Sequence, residues 1–186
     1  MTNKIFEVRF HGRGGQGAWT ASLLLAQAGL MEEKNIQSFP AFGPERAGAP
    51  ITAFTRISDE KIQLHSSIYE PDVVVVLDPT LLGPAVSKGI QKGTKLIVNT
   101  DESADAVREK LGLEDVETWT VDATTLALDV LGRPITNTAM LGTVVKATDV
   151  VKLESLFKVI KTRFEGKIGE LNADLVKKAY EEAKMG

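Results

Sequence analysis

Val73-Val74-Val75-Val76-Leu77-Asp78-Pro79 is the stretch that decides the architecture. Five aliphatic residues in a row, four of them valine, fit a strand buried on both faces, as in a parallel sheet. Asp78-Pro79 stops it. A second run, Lys95–Val98, reads the same way and ends at Asn99. Outward from this centre the chain alternates. Upstream, Ile5–Phe10 is expected as a strand, Ala18–Met31 as a helix with a broad leucine face, Ile36–Phe39 as a short strand, and Ile51–Ile57 as a half-buried strand with Lys61–Leu64 as its partner. Downstream, Thr80–Gly89 is expected as a short helix. Ser103–Leu111 reads as a helix capped by Ser103 and followed by Gly112, Glu117–Val121 as a strand, and Asp122–Leu131 as a helix. Thr138–Lys146 and Leu153–Phe164 complete the helical part, with Asn172 as the cap of a last helix carrying Leu175, Val176, Ala179, Tyr180 and Ala183 on one side. Such alternation makes an α/β layered domain, its sheet largely parallel or mixed, with helices on both faces. Residues 1–186 are expected as one domain, and 137–186 as a mainly helical C-terminal extension of it.

Composition removes several classes of function. The chain has 186 residues, 43% of them hydrophobic and 25% charged, as in ordinary globular proteins. A net charge of −3 argues against coating nucleic acid. No run of roughly 18 apolar residues is present, so no membrane span is expected. The start lacks the apolar stretch of a signal peptide, which gives the cytoplasm as the expected location. There is no cysteine, hence no thiolate zinc site, no iron–sulfur cluster held by this chain and no cysteine nucleophile. His11 and His65 are the two histidines, which excludes a multi-histidine metal site.

The first candidate for chemistry is the loop His11-Gly12-Arg13-Gly14-Gly15-Gln16-Gly17, between an expected strand and an expected helix. Its Gly-x-Gly-x-x-Gly spacing gives a Rossmann-like strand–loop–helix. Glycines let the main chain approach a phosphate, and the helix N-terminus offers free N–H groups and positive potential. Arg13 would add a charge-assisted contact. A nicotinamide cofactor would also require an acid near the end of the second strand, but Gln37-Ser38-Phe39-Pro40 has none. The bland alternative is a tight turn that binds nothing. The second candidate is the loop Phe39–Pro50, rich in proline and glycine, with Glu45 and Arg46 as its charges. It reads equally as a functional loop or as a surface loop with a solvated ion pair. His65 reads as a surface histidine. Asp78, Asn99 and Asp122 follow expected strands and so border the ligand crevice of an open sheet, or act as turn and cap residues. Asn137-Thr138 reads as a cap with a possible ligand contact.

Five segments in order carry a resemblance: Phe10–Gly17, Phe42-Gly43-Pro44-Glu45-Arg46-Ala47-Gly48-Ala49-Pro50, Ile68-Tyr69-Glu70-Pro71-Asp72, Asp78-Pro79-Thr80-Leu81-Leu82 and Asn137-Thr138-Ala139-Met140-Leu141-Gly142. Together they resemble the gamma subunit of 2-oxoacid:ferredoxin oxidoreductases, and most of all the pyruvate and branched-chain oxoacid branch. The resemblance runs from about Ile5 to Tyr180. It implies a place in an enzyme that decarboxylates a 2-oxoacid on thiamine diphosphate, passes electrons through iron–sulfur clusters to ferredoxin and forms acyl-coenzyme A. It further implies alpha, beta and delta partner chains that hold the thiamine diphosphate and the clusters, so that this chain carries no catalytic residue and no metal. Gly12, Arg13, Gly14, Gly15, Gln16, Gly17, Arg46 and Asn137 are the candidate cofactor contacts, with coenzyme A expected at the surface of this chain and not tightly bound; a chain that only bridges subunits and touches no ligand fits the same residues. One departure stands out: the family commonly has two consecutive arginines before Gly-Ala-Pro, and here the second is Ala47. The alternative reading is a free-standing Rossmann-type nucleotide-binding module or dehydrogenase.

Overall fold

The structure is a computed structural model that describes residues 5–41 and 47–186. Among these, one mixed sheet carries seven strands: β1 (Phe6–Arg13), β2 (Asn35–Pro40), β3 (Pro50–Ser58), β4 (Val73–Val76), β5 (Lys95–Asn99), β6 (Glu117–Val121) and β7 (Lys184–Met185). Their spatial order is β2-β3-β1-β4-β5-β6-β7. β1, β4, β5 and β6 run parallel, while β3 is antiparallel to β1, β2 to β3 and β7 to β6. The helices are α1 (Ala18–Met31), α2 (Pro84–Ser87), α3 (Ala104–Leu111), α4 (Ala123–Leu131), α5 (Asn137–Thr148), α6 (Leu153–Arg163) and α7 (Lys167–Glu182).

The two-residue period of a strand explains the layers. On one face Val8, Phe10, Val73, Val75 and Ile97 pack against α1 and the helices α4 to α7. On the other, Val74, Val76, Leu96 and Val98 meet Val86 of α2 and Val107 of α3. All four valines of β4 are therefore buried, as its composition required. The same alternation sends Glu7, Arg9 and His11 of β1 and Arg56 of β3 to the second face, where no long helix lies. Arg56 is nevertheless only 1% exposed. It donates to Glu7 Oε1 (2.7 Å) and Gln37 Oε1 (3.1 Å) and lies over the Phe39 ring.

Several expectations are corrected. Lys61–Leu64 forms no strand, and Gln37 Nε2 donates to the Leu64 carbonyl instead. Thr80–Gly89 is divided into a 3-10 turn at Pro79–Leu81 and the one-turn helix α2, because Pro84 begins a new helix. Asn172 does not start the last helix. It sits inside α7, where its Nδ2 donates to the Ile168 carbonyl and its Oδ1 accepts from Thr138 Oγ1. Asn137 is the first residue of α5 rather than its N-cap, and its Oδ1 accepts from the adjacent Thr138 N–H. β7 was not expected from the sequence.

β2 is an outer strand of the sheet. The Ala41 N–H donates to the Thr52 carbonyl. Antiparallel alternation then turns the backbone of Gln37 and Phe39 towards β3, and that of Ile36, Ser38 and Pro40 outwards.

One buried side-chain atom, Thr143 Oγ1 in α5, has no hydrogen-bond partner among the described residues. Such a hydroxyl costs about 1–3 kcal/mol. Thr143→Val keeps the shape and removes that cost. The expected result is a gain of about 1 kcal/mol, or a rise of roughly 2–4 °C in Tm by calorimetry.

Candidate functional site

The glycine loop lies where β1 meets β4, at the edge between the parallel strands and the antiparallel pair. The direction of strand order changes at β1, the position at which open α/β sheets take their ligands. β1 runs on through His11, Gly12 and Arg13, each paired with β3. The chain then turns at Gly15 (φ 95°) and Gly17 (φ 80°), left-handed conformations that favour glycine. A Cβ at Gly17 would also come within 2.5 Å of Asn137 Nδ2, which places Asn137 directly beside the loop.

Gln16 and Asp78 hold the loop in shape. Gln16 Oε1 accepts from the Arg13 N–H (2.7 Å), and Gln16 Nε2 donates to Asp78 Oδ2 (2.9 Å). Arg13 spends three of its five N–H donors inside the fold: Nε on Asp78 Oδ2 (3.1 Å), Nη1 on the Gly48 carbonyl (3.1 Å) and Nη2 on Thr80 Oγ1 (2.9 Å). Burial pushes the Asp78 carboxyl up. Hydrogen bonds from Thr80 and Gln16, with the Arg13 charge, outweigh this and hold it below its ordinary range. The backbone closes the same join, with Gly14 N–H donating to Ala49 O and Gly48 N–H to Gly14 O. Arg13 thus ties β1, β4 and the returning end of the second loop together. Arg46 of that loop lies outside the described residues.

Helix α1 begins without a side-chain cap. Its first internal bond runs from the Ala21 N–H to the Gly17 carbonyl, and the N–H groups of Ala18, Trp19 and Thr20 meet no acceptor among the described residues. They border an open cleft of about 440 Å³ walled by the glycine loop, Pro40, Ala41, Ala47, Ile51 and Thr52. No charged side chain of the described residues lines it. The donors there are neutral N–H groups and a helix dipole, which suit a phosphate oxygen.

The other candidates have structural duties. Asn99 Nδ2 donates to the Leu77 carbonyl and Thr124 Oγ1, and Asp122 Oδ1 caps α4 by accepting from the Thr125 N–H. His65 is exposed. Sequence reading placed Arg9 in the first strand and His11 at the head of the glycine loop but gave no sign of their pairing. Arg9 donates from Nε to His11 Nε2 (2.9 Å) and from Nη2 to the carbonyls of Val86 and Lys88, with both side chains buried. No spacing signals the cover that Val86–Lys88 provides.

The loop lacks the strand partner that a dinucleotide fold requires. In that fold the strand after the first helix lies parallel beside the first strand. Here β3 occupies that place and is antiparallel, and β2 lies beyond it. The match to the family model of pyruvate ferredoxin/flavodoxin oxidoreductase covers residues 7–182.

The chain belongs to the pyruvate ferredoxin/flavodoxin oxidoreductase family. Within it, the chain is 53% identical over 178 residues to the Thermococcus litoralis pyruvate/ketoisovalerate oxidoreductases common subunit gamma, covering 95% of this chain and 96% of that one. It is 50% identical to the Methanocaldococcus jannaschii pyruvate synthase subunit PorC, over 96% and 97% of the two chains. The fold matches the crystal structure of the Thermotoga maritima pyruvate oxidoreductase subunit PORC with a TM-score of 0.91 at 43% identity, over 98% and 99% of the two chains. The resemblance read from the five segments is borne out, and so is the α/β architecture with its C-terminal helices. These relatives of the pyruvate ferredoxin/flavodoxin oxidoreductase family are matched over nearly their full length.

Proposed function

We propose that the chain is the gamma subunit of a 2-oxoacid:ferredoxin oxidoreductase, with pyruvate as the first substrate to test. In this reading it supports assembly with alpha, beta and delta chains in the cytoplasm and forms one wall of the coenzyme A entrance. Thiamine diphosphate and the iron–sulfur clusters reside in the partner chains, since a chain without cysteine offers no thiolates for a cluster. The observation that carries the coenzyme part is the uncapped start of α1, whose free N–H groups face the 440 Å³ cleft beside the glycine loop. Gly12, Gly14, Gly15 and Gly17 let the backbone come close, Gln16 holds the turn, Asn137 stands against it, and Arg13 anchors the loop from outside the cleft. A relative named as a subunit common to pyruvate and ketoisovalerate oxidoreductases supports a further point: the choice of oxoacid lies with the other chains.

Co-expression with the three partner chains tests assembly, and failure to co-purify ends the reading. The cleft has a separate test. Ala47 is exposed and borders it, so Ala47→Trp fills the cleft without disturbing the core. In the assembled enzyme the expected result is at least a tenfold rise in the KM for coenzyme A, with the KM for the oxoacid unchanged. An unchanged coenzyme A KM removes this cleft from the coenzyme path.

A further inference from the structure

A second cleft of about 440 Å³ lies on the other side of Thr20, between the start of α1 and the helices α5 to α7. Thr20 lines both clefts. Leu131, Ile135, Phe164, Ile168 and Leu171 make its walls predominantly apolar, with Asn137 and Asn172 as their neutral polar members. Ile135 is 45% exposed and Ile168 62%, an open greasy surface that water covers poorly. Two cations line the same cleft, Arg133 and Arg163. Neither guanidinium has a hydrogen-bond or ion-pair partner among the described residues. That of Arg163 lies over the Phe164 ring at 5.4 Å, which holds it against the wall.

Two unpaired guanidinium groups beside an apolar hollow match a ligand with one anionic end and one apolar end. A guanidinium presents a planar fork of donors that fits a carboxylate. The volume lies within the range of small-molecule sites. We propose that this cleft binds an alkyl carboxylate, its chain against Ile135, Phe164, Ile168 and Leu171 and its carboxylate held by Arg133 and Arg163. The proposal is separate from the coenzyme reading in its charged groups, since the two arginines line only this cleft, while Thr20 borders both clefts and Asn137, set against Gly17, lines this one.

The test titrates the full chain with octanoate, following backbone amide shifts by NMR, with 1-octanol and inorganic phosphate as partial probes. The expected result is saturable one-to-one binding that perturbs residues around Ile135 and Ile168, with each partial probe at least tenfold weaker. The double variant Arg133→Gln/Arg163→Gln changes only exposed side chains. It is expected to lose at least tenfold in octanoate affinity while keeping its Tm. Ile168→Ser, also at the surface, is expected to weaken octanoate, and Ala47→Trp is expected to leave it unchanged. No saturable binding overturns the proposal. So does full affinity in the double variant, or shifts confined to another surface. Equal affinity for phosphate reduces the cleft to a simple anion contact and also overturns it.

Discussion

Gly142→Ala is expected to lower the stability of the chain by about 3 kcal/mol, or roughly 10 °C in Tm. Gly142 lies in α5, and a Cβ there would fall 2.2 Å from the Val176 carbonyl and 3.1 Å from the Tyr180 backbone nitrogen of α7. These are rigid backbone atoms of a helix, not the end of a flexible side chain. The helices must therefore move apart, and the packing of Met140, Leu141, Val144, Leu175 and Val176, all buried, opens with them. Alanine is worth about 1 kcal/mol more than glycine in a helix interior. The net loss is what remains after that gain, and it is a large share of the 5–15 kcal/mol that holds a domain together. Thermal unfolding of the full chain measures it. A Tm equal to that of the parent chain shows that α5 and α7 do not approach this closely. Thr143→Val, one residue along, is expected to move Tm the other way.

The second large effect is with pH. Burial first, and the neighbouring Arg9 charge second, lower the His11 pKa from 6.5 to about 4. The geometry gives the reason: His11 Nε2 accepts a hydrogen bond from Arg9 Nε, so a proton placed there would face another donor. The folded chain therefore keeps His11 neutral, while the unfolded chain protonates it near pH 6.5. Stability from this group is complete above pH 6.5, falls as pH drops, and levels off below about pH 4. The span of about 2.5 pH units corresponds to about 3 kcal/mol. Asp78, with its pKa also lowered, gives up its own contribution further into the acid range. Urea unfolding at pH 7, 5.5 and 4 reads the profile. His11→Gln retains an acceptor for Arg9 and removes the titration, so its stability is expected to change little between pH 7 and 4.5. An equal slope in both proteins shows that His11 is not the source.

Much of the architecture could be read from residues alone. The valine run specified a strand covered on both sides, and the structure buries all four valines. The ends of α1 were legible because four glycines precede Ala18 and the apolar face stops at Met31. Ser103 and Gly112 bounded α3 by ordinary capping chemistry. The start of α7 was not legible: Asn172 was expected as its cap, yet the helix begins at Lys167 after Gly166, whose φ is 64°. Gly169 is inside it because a Cβ there would strike the Phe164 carbonyl at 1.9 Å. Of the candidate site, the glycine loop was visible from its spacing. Its brace was not: Asp78 lies 62 residues from Gln16 in sequence, and only the pairing of β1 with β4 brings the two together. The burial of Arg9, Arg56 and His11 was likewise not legible, because distant parts of the chain cover that face of β1 and β3.

The outer strand β2 has a consequence for how copies of this protein meet. On its open side Pro40 presents a carbonyl but no N–H, so a visiting strand finds a donor at Ile36 and Ser38 only. Among the described residues, that leaves β2 a poor template for strand addition. Lasting association at this border has to come from side chains that recognise a particular neighbour, and crowding alone does not stack one sheet onto the next.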